Sequence, residues 1–213
     1  MQGGVLRLGK VELPMALELP ERPCGIVLLA AADDRSGSGL RDPLIAEVLH
    51  AHHLGTLLFD LFEQEEAGHR PQAMDIGLFG ERVGAALDWV ARRSDLARLG
   101  TGLFGASDGA AAVLRGAARR PGRVGAVVSR GGRPDLAGAS LALVEAPTLL
   151  LVGGRDIEHL PYHRDALRSM ACRKRLEIVP GATQRFEEPG TLDAAAHLAG
   201  AWFATHLGCE NAC

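Results

Sequence analysis

Leu99-Gly-Thr-Gly-Leu-Phe104 runs into Gly105-Ala106-Ser107-Asp108-Gly109, which runs into Ala110-Ala-Ala-Val-Leu-Arg-Gly-Ala-Ala-Arg119. The first stretch is short and apolar, as a strand is. The last is Ala-rich and long enough for several helical turns. Between them the pattern G-x-S-x-G sets a serine on the turn. A sharp strand-to-helix turn strains the backbone and needs small neighbours, and Gly105, Gly109 and the alanines that follow supply them. The helix start also directs its N–H groups and positive dipole end at the serine. A Gly-rich turn of this kind can instead serve packing or hold a phosphate. The agreement of strand, turn and helix signals favours a presented serine, Ser107.

Outward from this turn, short apolar runs alternate with longer helical patterns, the order of a mostly parallel sheet with helices on both faces. Runs at 25–30, 55–59, 99–104, 124–128, 148–152 and 176–179 read as strands, and 5–8 and 15–19 as two edge strands. The run at 25–30 is continuously apolar, as a strand buried on both sides should be. Helices are expected over 41–53, from 75, over 110–119, 162–170 and 192–207. The helix from Asp75 is the clearest. Asp75 is a good N-cap, and Ile76, Phe79, Val83, Ala86, Leu87 and Val90 fall on one face. In the last helix Leu198, Trp202 and Phe203 read as the apolar side, with Gly208 as a C-cap. No repeat or linker composition interrupts the pattern. Residues 1–213 therefore read as one α/β domain of about seven to eight strands, with 1–20 as edge strands and 209–213 as a tail. Too little chain remains beyond the core for a large cap.

Composition narrows the function classes. The 213 residues carry a formal charge of −3, so no basic field recruits nucleic acid. Aromatics make up 4%, so Leu, Val and Ala must build the core. No run has the length of a membrane span. The start, Met1 to Lys10, lacks a basic segment followed by an apolar one, so a cytoplasmic location is expected. Cys24, Cys172, Cys209 and Cys213 are scattered and read as reduced thiols. No metal site or cofactor is expected.

A serine nucleophile needs partners. Val152-Gly153-Gly154-Arg155-Asp156 follows a later buried strand, and Asp156 has the order and strand-end position of a triad acid. A turn aspartate after two glycines also arises for local reasons. The third member should follow the last strand, where the chain reads Pro180-Gly-Ala-Thr-Gln184-Arg-Phe-Glu-Glu-Pro-Gly190.

At this point the chain resembles the dienelactone hydrolase-like α/β hydrolases, small enzymes sometimes attached to phosphoribosyltransferase modules. The resemblance covers nearly the whole length. It is carried by residues 105–112, 127–136 (Val-Val-Ser-Arg-Gly-Gly-Arg-Pro-Asp-Leu), 146–156 and 179–190. It implies the α/β-hydrolase fold and a Ser, Asp, His triad. Two departures stand out. Relatives read G-A-T-H where this chain has Gly181-Ala-Thr-Gln184. Relatives also start a Gly/Ser-rich loop with His-Gly after the strand at 25–30, where this chain has Ala31-Ala32-Asp33-Asp34-Arg35-Ser36-Gly37.

Both departures bear on chemistry. An imidazole can take the serine proton because it titrates near neutrality; a glutamine amide cannot. Ala31, Ala32 and Asp33, with the N–H of Asp108, would shape the oxyanion side, and Asp33 and Asp34 would oppose negative charge there. His159, three residues past Asp156, is a candidate substitute base, although a solvated helix-start histidine is the plainer reading. Asp156, His159 and His163 as metal ligands are disfavoured because Pro161 interrupts them. His50, His52 and His53 sit at a helix end. Arg130 and Arg133 follow the strand at 124–128, where they would bind an acidic substrate or brace their own loop against Asp135 or Glu145. Asp33, Asp34, Asp60, Asp108 and Asp156 all project to strand ends and would suit a cation. The function expected is therefore a serine ester or lactone hydrolase with an incomplete triad. The alternative is an inactive member that binds a small ligand or a partner through the retained pocket. A small molecule is the expected partner, with a homodimer as one open assembly.

Overall fold

The computed structural model describes residues 2–9, 11–32, 40, 42–63 and 75–209. Eight strands form one sheet in the order β1-β2-β4-β3-β5-β6-β7-β8. β1 (Gln2–Leu8) and β2 (Val11–Glu18) form an antiparallel hairpin, and β2 pairs antiparallel with β4 (Leu54–Asp60). β3 (Gly25–Ala31), β4, β5 (Gly100–Ala106), β6 (Ala126–Arg130), β7 (Thr148–Gly153) and β8 (Lys174–Val179) run parallel. Every residue of β3, β6 and β7 is buried, because helices cover both faces. This is the α/β architecture that the alternating pattern predicts.

Two apolar layers enclose the sheet. One packs α2 (Ile76–Arg92), α3 (Gly109–Arg119) and α4 (Leu160–Ser169) through Phe79, Val83, Ala112, Val113 and Ala166. The other packs α1 (Pro43–Ala51) and α5 (Thr191–His206) through Ile45, Val48, Ala195, Ala199 and Phe203. α2 follows its amphipathic pattern. Asp75 caps it by accepting from the Leu78 N–H at 2.9 Å, and Phe79, Val83, Ala86, Leu87 and Val90 are buried. α1 starts later than expected because Asp42 takes the cap, accepting from the Leu44 N–H at 3.0 Å, and Pro43 fills the first turn. In α5 the buried stripe is Leu192, Ala195, Ala196, Ala199 and Phe203, with Leu198 and Trp202 at its half-buried margin. Among the described residues no helix is long and apolar enough to cross a membrane.

The structure corrects the reading of the cysteines. Cys24 and Cys209 are joined by a disulfide across a separation of 185 residues. Cys24 lies just before β3 and Cys209 just past α5, whose end packs on the N-terminal ends of the central strands. Leu207 side-chain and backbone atoms lie against Gly25 and Gly100. No sequence spacing announces a pair closed only by the folded sheet, and reducing compartments disfavour such bonds. Cys172 is a half-buried free thiol, and Cys213 lies outside the described residues.

In the chain-entropy picture a loop of this length is worth at most about 5 kcal/mol. Denaturant unfolding with and without a thiol reductant is expected to show a loss of about 2–5 kcal/mol on reduction. Cys24→Ser should reproduce that loss and Cys172→Ser should not.

Candidate active site

β5 ends at Ala106 and α3 begins at Gly109, so Ser107 and Asp108 form the whole turn. Ser107 stands at φ 50°, a left-handed backbone that non-glycine residues seldom adopt. Its N–H donates to the Arg130 carbonyl at 3.0 Å, and its carbonyl accepts from the Ala110 N–H at 3.2 Å. The turn closes because its neighbours lack side chains. A Cβ on Gly105 would stand 2.2 Å from the Gly109 oxygen, and one on Gly109 would stand 2.5 Å from the Ala30 oxygen. Gly132, at φ 63°, presses on the serine itself, where a Cβ would meet the Ser107 oxygen at 2.1 Å. Ser107 is exposed, so the serine faces the outside at the C-terminal edge of the sheet. Asp108 takes the N-cap position of α3 without a side-chain capping bond.

The outgoing loops of β6, β7 and β8 converge on this turn. Asp156 follows β7 and is 6% exposed. The Arg155 N–H donates to the Ala182 carbonyl at 2.9 Å, and the Gly154 N–H to the Val179 carbonyl at 2.8 Å, so the Asp156 loop is tied to the loop after β8. That second loop is braced in turn, with Glu188 accepting from the Thr183 N–H at 3.0 Å. This bond holds the Glu188 carboxyl below its ordinary range. The loop carries Gln184, whose side chain is exposed and whose carbonyl lies over Gly131. Gly131 and Gly132 thus connect Gln184 to Ser107 through a single turn of backbone.

Asp156 is engaged by another residue. Its Oδ1 accepts from the His159 N–H at 3.3 Å and lies 2.7 Å from His159 Nδ1. Its Oδ2 is buried without a partner among the described residues. His159 sits at the N-cap of α4 with its ring 6.1 Å from that of Tyr162, edge to face. Behind it, His163 is fully buried and neither ring nitrogen has a hydrogen bond of ordinary geometry among the described residues. Burial, the largest influence, pushes the His163 pKa down from 6.5 to about 4, against the pull of Asp156. His163 shares the buried face of α4 with Ala166, and Met170 follows just past the helix end, a 3–4 spacing that was open to reading in the sequence.

The two arginines separate. Arg133 grips Asp135 at 2.6 and 2.8 Å, which raises its pKa, and its guanidinium stacks 3.6 Å over Tyr162. That is the bracing geometry. Arg130 is buried, with its guanidinium 5.2 Å from the Phe186 ring. Ala31 ends β3, and its carbonyl accepts from the Leu61 N–H at 2.8 Å. Ala32 is half-buried, and Asp33 and Asp34 lie outside the described residues. Asp60, Asp108 and Asp156 all stand at C-terminal strand ends, yet among the described residues no group of three His, Cys, Asp or Glu could hold a metal.

An open, mostly parallel sheet with a left-handed serine on the strand-to-helix turn after β5 defines an α/β-hydrolase fold. Est1E from Butyrivibrio proteoclasticus shares that fold at 12% identity, with TM-score 0.78 over 97% of this chain and 99% of Est1E. The dienelactone hydrolase from Anabaena variabilis is 44% identical, with TM-score 0.91 over 97% of both chains. The chain belongs to the dienelactone hydrolase family. It is also 47% identical over 199 residues to a Mycobacterium tuberculosis protein that carries the provisional name phosphoribosyl transferase. That match takes in 93% of this chain and 45% of the relative, so this chain spans less than half the relative's length. No family model matches the chain.

The buried His163 makes stability depend on pH. In the unfolded chain an imidazole titrates near 6.5, so acid protonates the unfolded state first. The native state is favoured fully above pH 6.5 and loses about 3 kcal/mol as the pH falls toward 4. Unfolding free energies measured from about pH 8 down to about pH 4 should show this limb in the wild type. His163→Asn should lack it. Gly132→Ala should displace Ser107 and cost about 1–3 kcal/mol at neutral pH, read from the same unfolding curves.

Proposed function

We propose that this protein is a serine hydrolase acting on a small ester, thioester or lactone, with Ser107 as nucleophile and Asp156 as the orienting acid. The observation that supports this most is the left-handed backbone of Ser107, held by Gly105, Gly109 and Gly132. Strain of this kind is worth about 1–3 kcal/mol and persists where a site needs the side chain presented. In this reading the Ser107 oxygen attacks the carbonyl carbon. The oxyanion forms beside the N–H of Asp108 and the backbone at Ala31 and Ala32, which Gly109 brings to the turn by packing on Ala30. Of the two arginines, Arg133 holds Asp135 and so braces its own loop, while Arg130 ends β6 with its guanidinium over Phe186.

Gln184 supports a second reading, in which the pocket binds a small molecule or a partner without turning it over. Its amide takes no proton at the place where relatives carry the base. Loss of one triad member in serine hydrolases still leaves roughly 10³–10⁴-fold catalysis over water, so a weak enzyme also fits.

A fluorophosphonate probe separates these readings. Wild type is expected to gain the probe's mass on the peptide containing Ser107 and to hydrolyse a short-chain 4-nitrophenyl ester faster than Ser107→Ala. Equal hydrolysis by the two proteins and an unmodified serine would leave the binding reading.

A further inference from the structure

A hydrolase of this kind needs a base, and the described histidines differ sharply in their fitness for the role. His50 shares a hydrogen bond of 3.2 Å with Thr56 between α1 and β4, and His52 and His53 follow at the same end, where the strands begin. The His206 ring meets that of Trp202 edge to face at the far end of α5. His197 bonds the carbonyl of Asp193 on its own helix at 2.9 Å. His163 is buried and held neutral. Among the described residues only His159 lies at the strand-end edge with Nδ1 against a buried carboxylate.

We propose that His159, oriented by Asp156, is the general base for Ser107 in place of the histidine missing at position 184. This rests on the hydrolase reading above. A triad base needs Nδ1 fixed by an acid and Nε2 left to face the nucleophile. Asp156 Oδ1 holds both the backbone N–H and Nδ1 of His159, so the ring is fixed from two sides. The carboxylate is 6% exposed, and its second oxygen has no partner among the described residues, so water screens little of the attraction between it and an imidazolium formed beside it.

The sheet sets the span that an imidazole would have to bridge. β5, β6 and β7 are successive neighbours, which sets the strand ends carrying Ser107 and Asp156 roughly 9–10 Å apart. An imidazole bonded at both nitrogens bridges oxygens roughly 7–8 Å apart. The β6 loop spans the same gap by contact. Gly132 lies on Ser107, Arg133 stacks on Tyr162, and Tyr162 meets the ring of His159. The Ser107 to His159 hydrogen bond is absent from the resting structure and would form as substrate settles, as apo catalytic bonds often do.

The proton balance closes within these groups. The Ser107 hydroxyl proton passes to His159 Nε2 as the Oγ–C bond forms and the carbonyl electrons move to oxygen. The tetrahedral centre collapses, the C–O bond to the leaving alkoxide breaks, and His159 returns the proton to it. Water then attacks the acyl-serine, giving one proton to His159 Nε2. The second collapse frees the acid and hands that proton back to Ser107.

The test is the rate of fluorophosphonate labelling at Ser107 in wild type, His159→Gln, Asp156→Asn, Gln184→His and the double variant His159→Gln/Gln184→His, each first shown to be folded by thermal melting. The expected result is labelling in wild type and a fall of about 10²–10⁴-fold in His159→Gln. A fall in Asp156→Asn and recovery in the double variant should accompany it. Labelling of His159→Gln at the wild-type rate would overturn the role of His159 while keeping Ser107 as nucleophile. Labelling of Gln184→His but not of wild type would overturn it too, since the native base would then be lost. Inert wild type and inert Gln184→His together would remove the hydrolase reading and this inference with it.

Discussion

The backbone of Ser107 occupies a region that L-residues avoid, and three flanking positions have to be glycine for it to stay there. The other loops at this edge of the sheet are placed by the contacts that follow. Gly109 packs on Ala30 and so sets the start of α3 beside the end of β3. Gly132 packs on Ser107, and Gly131 on Gln184, so the loops after β5, β6 and β8 meet closely through backbone. The Asp156 loop joins them through the Arg155 and Gly154 hydrogen bonds. Strain at one residue and the absence of side chains at a few others thus organise the whole strand-end surface.

The fold was legible because its signals are local and redundant. Continuous apolar runs mark the strands buried on both faces, and Asp75 with its 3.6-residue stripe marks α2. α1 starts later than its pattern because Asp42 and Pro43 form the cap, and β6 lies two residues further along than its apolar run, at Ala126–Arg130. The mostly parallel character of the sheet came from the pattern of alternating elements rather than from any single motif.

The candidate site was legible in its positions and much less so in its contacts. The place of Ser107 on the turn followed from G-x-S-x-G in context, and the place of Asp156 followed from strand order. The pairing of Arg133 with Asp135 was one of two readings, because an arginine two residues from an aspartate can fold back or reach out. The burial of His163 was written in the spacing of α4, yet a histidine on an apolar face is read that way only once the packing is known. The Cys24–Cys209 bond had no local signal at all. It joins residues that only the closed sheet brings together, and the expectation of free thiols failed for that reason.

That bond also changes what the chain is as a molecule. From Cys24 to Cys209 the polypeptide is a closed ring, with the sheet from β3 to β8 and helices α1 to α5 inside it. A single cut in any loop of the ring opens it without releasing a piece, so both segments remain covalently joined while the bond stands. The β1–β2 hairpin, ahead of Cys24, lies outside the covalent ring and is held to it by pairing of β2 with β4. The same architecture in a reducing solution is an ordinary linear chain, in which one cut yields two fragments held by packing alone.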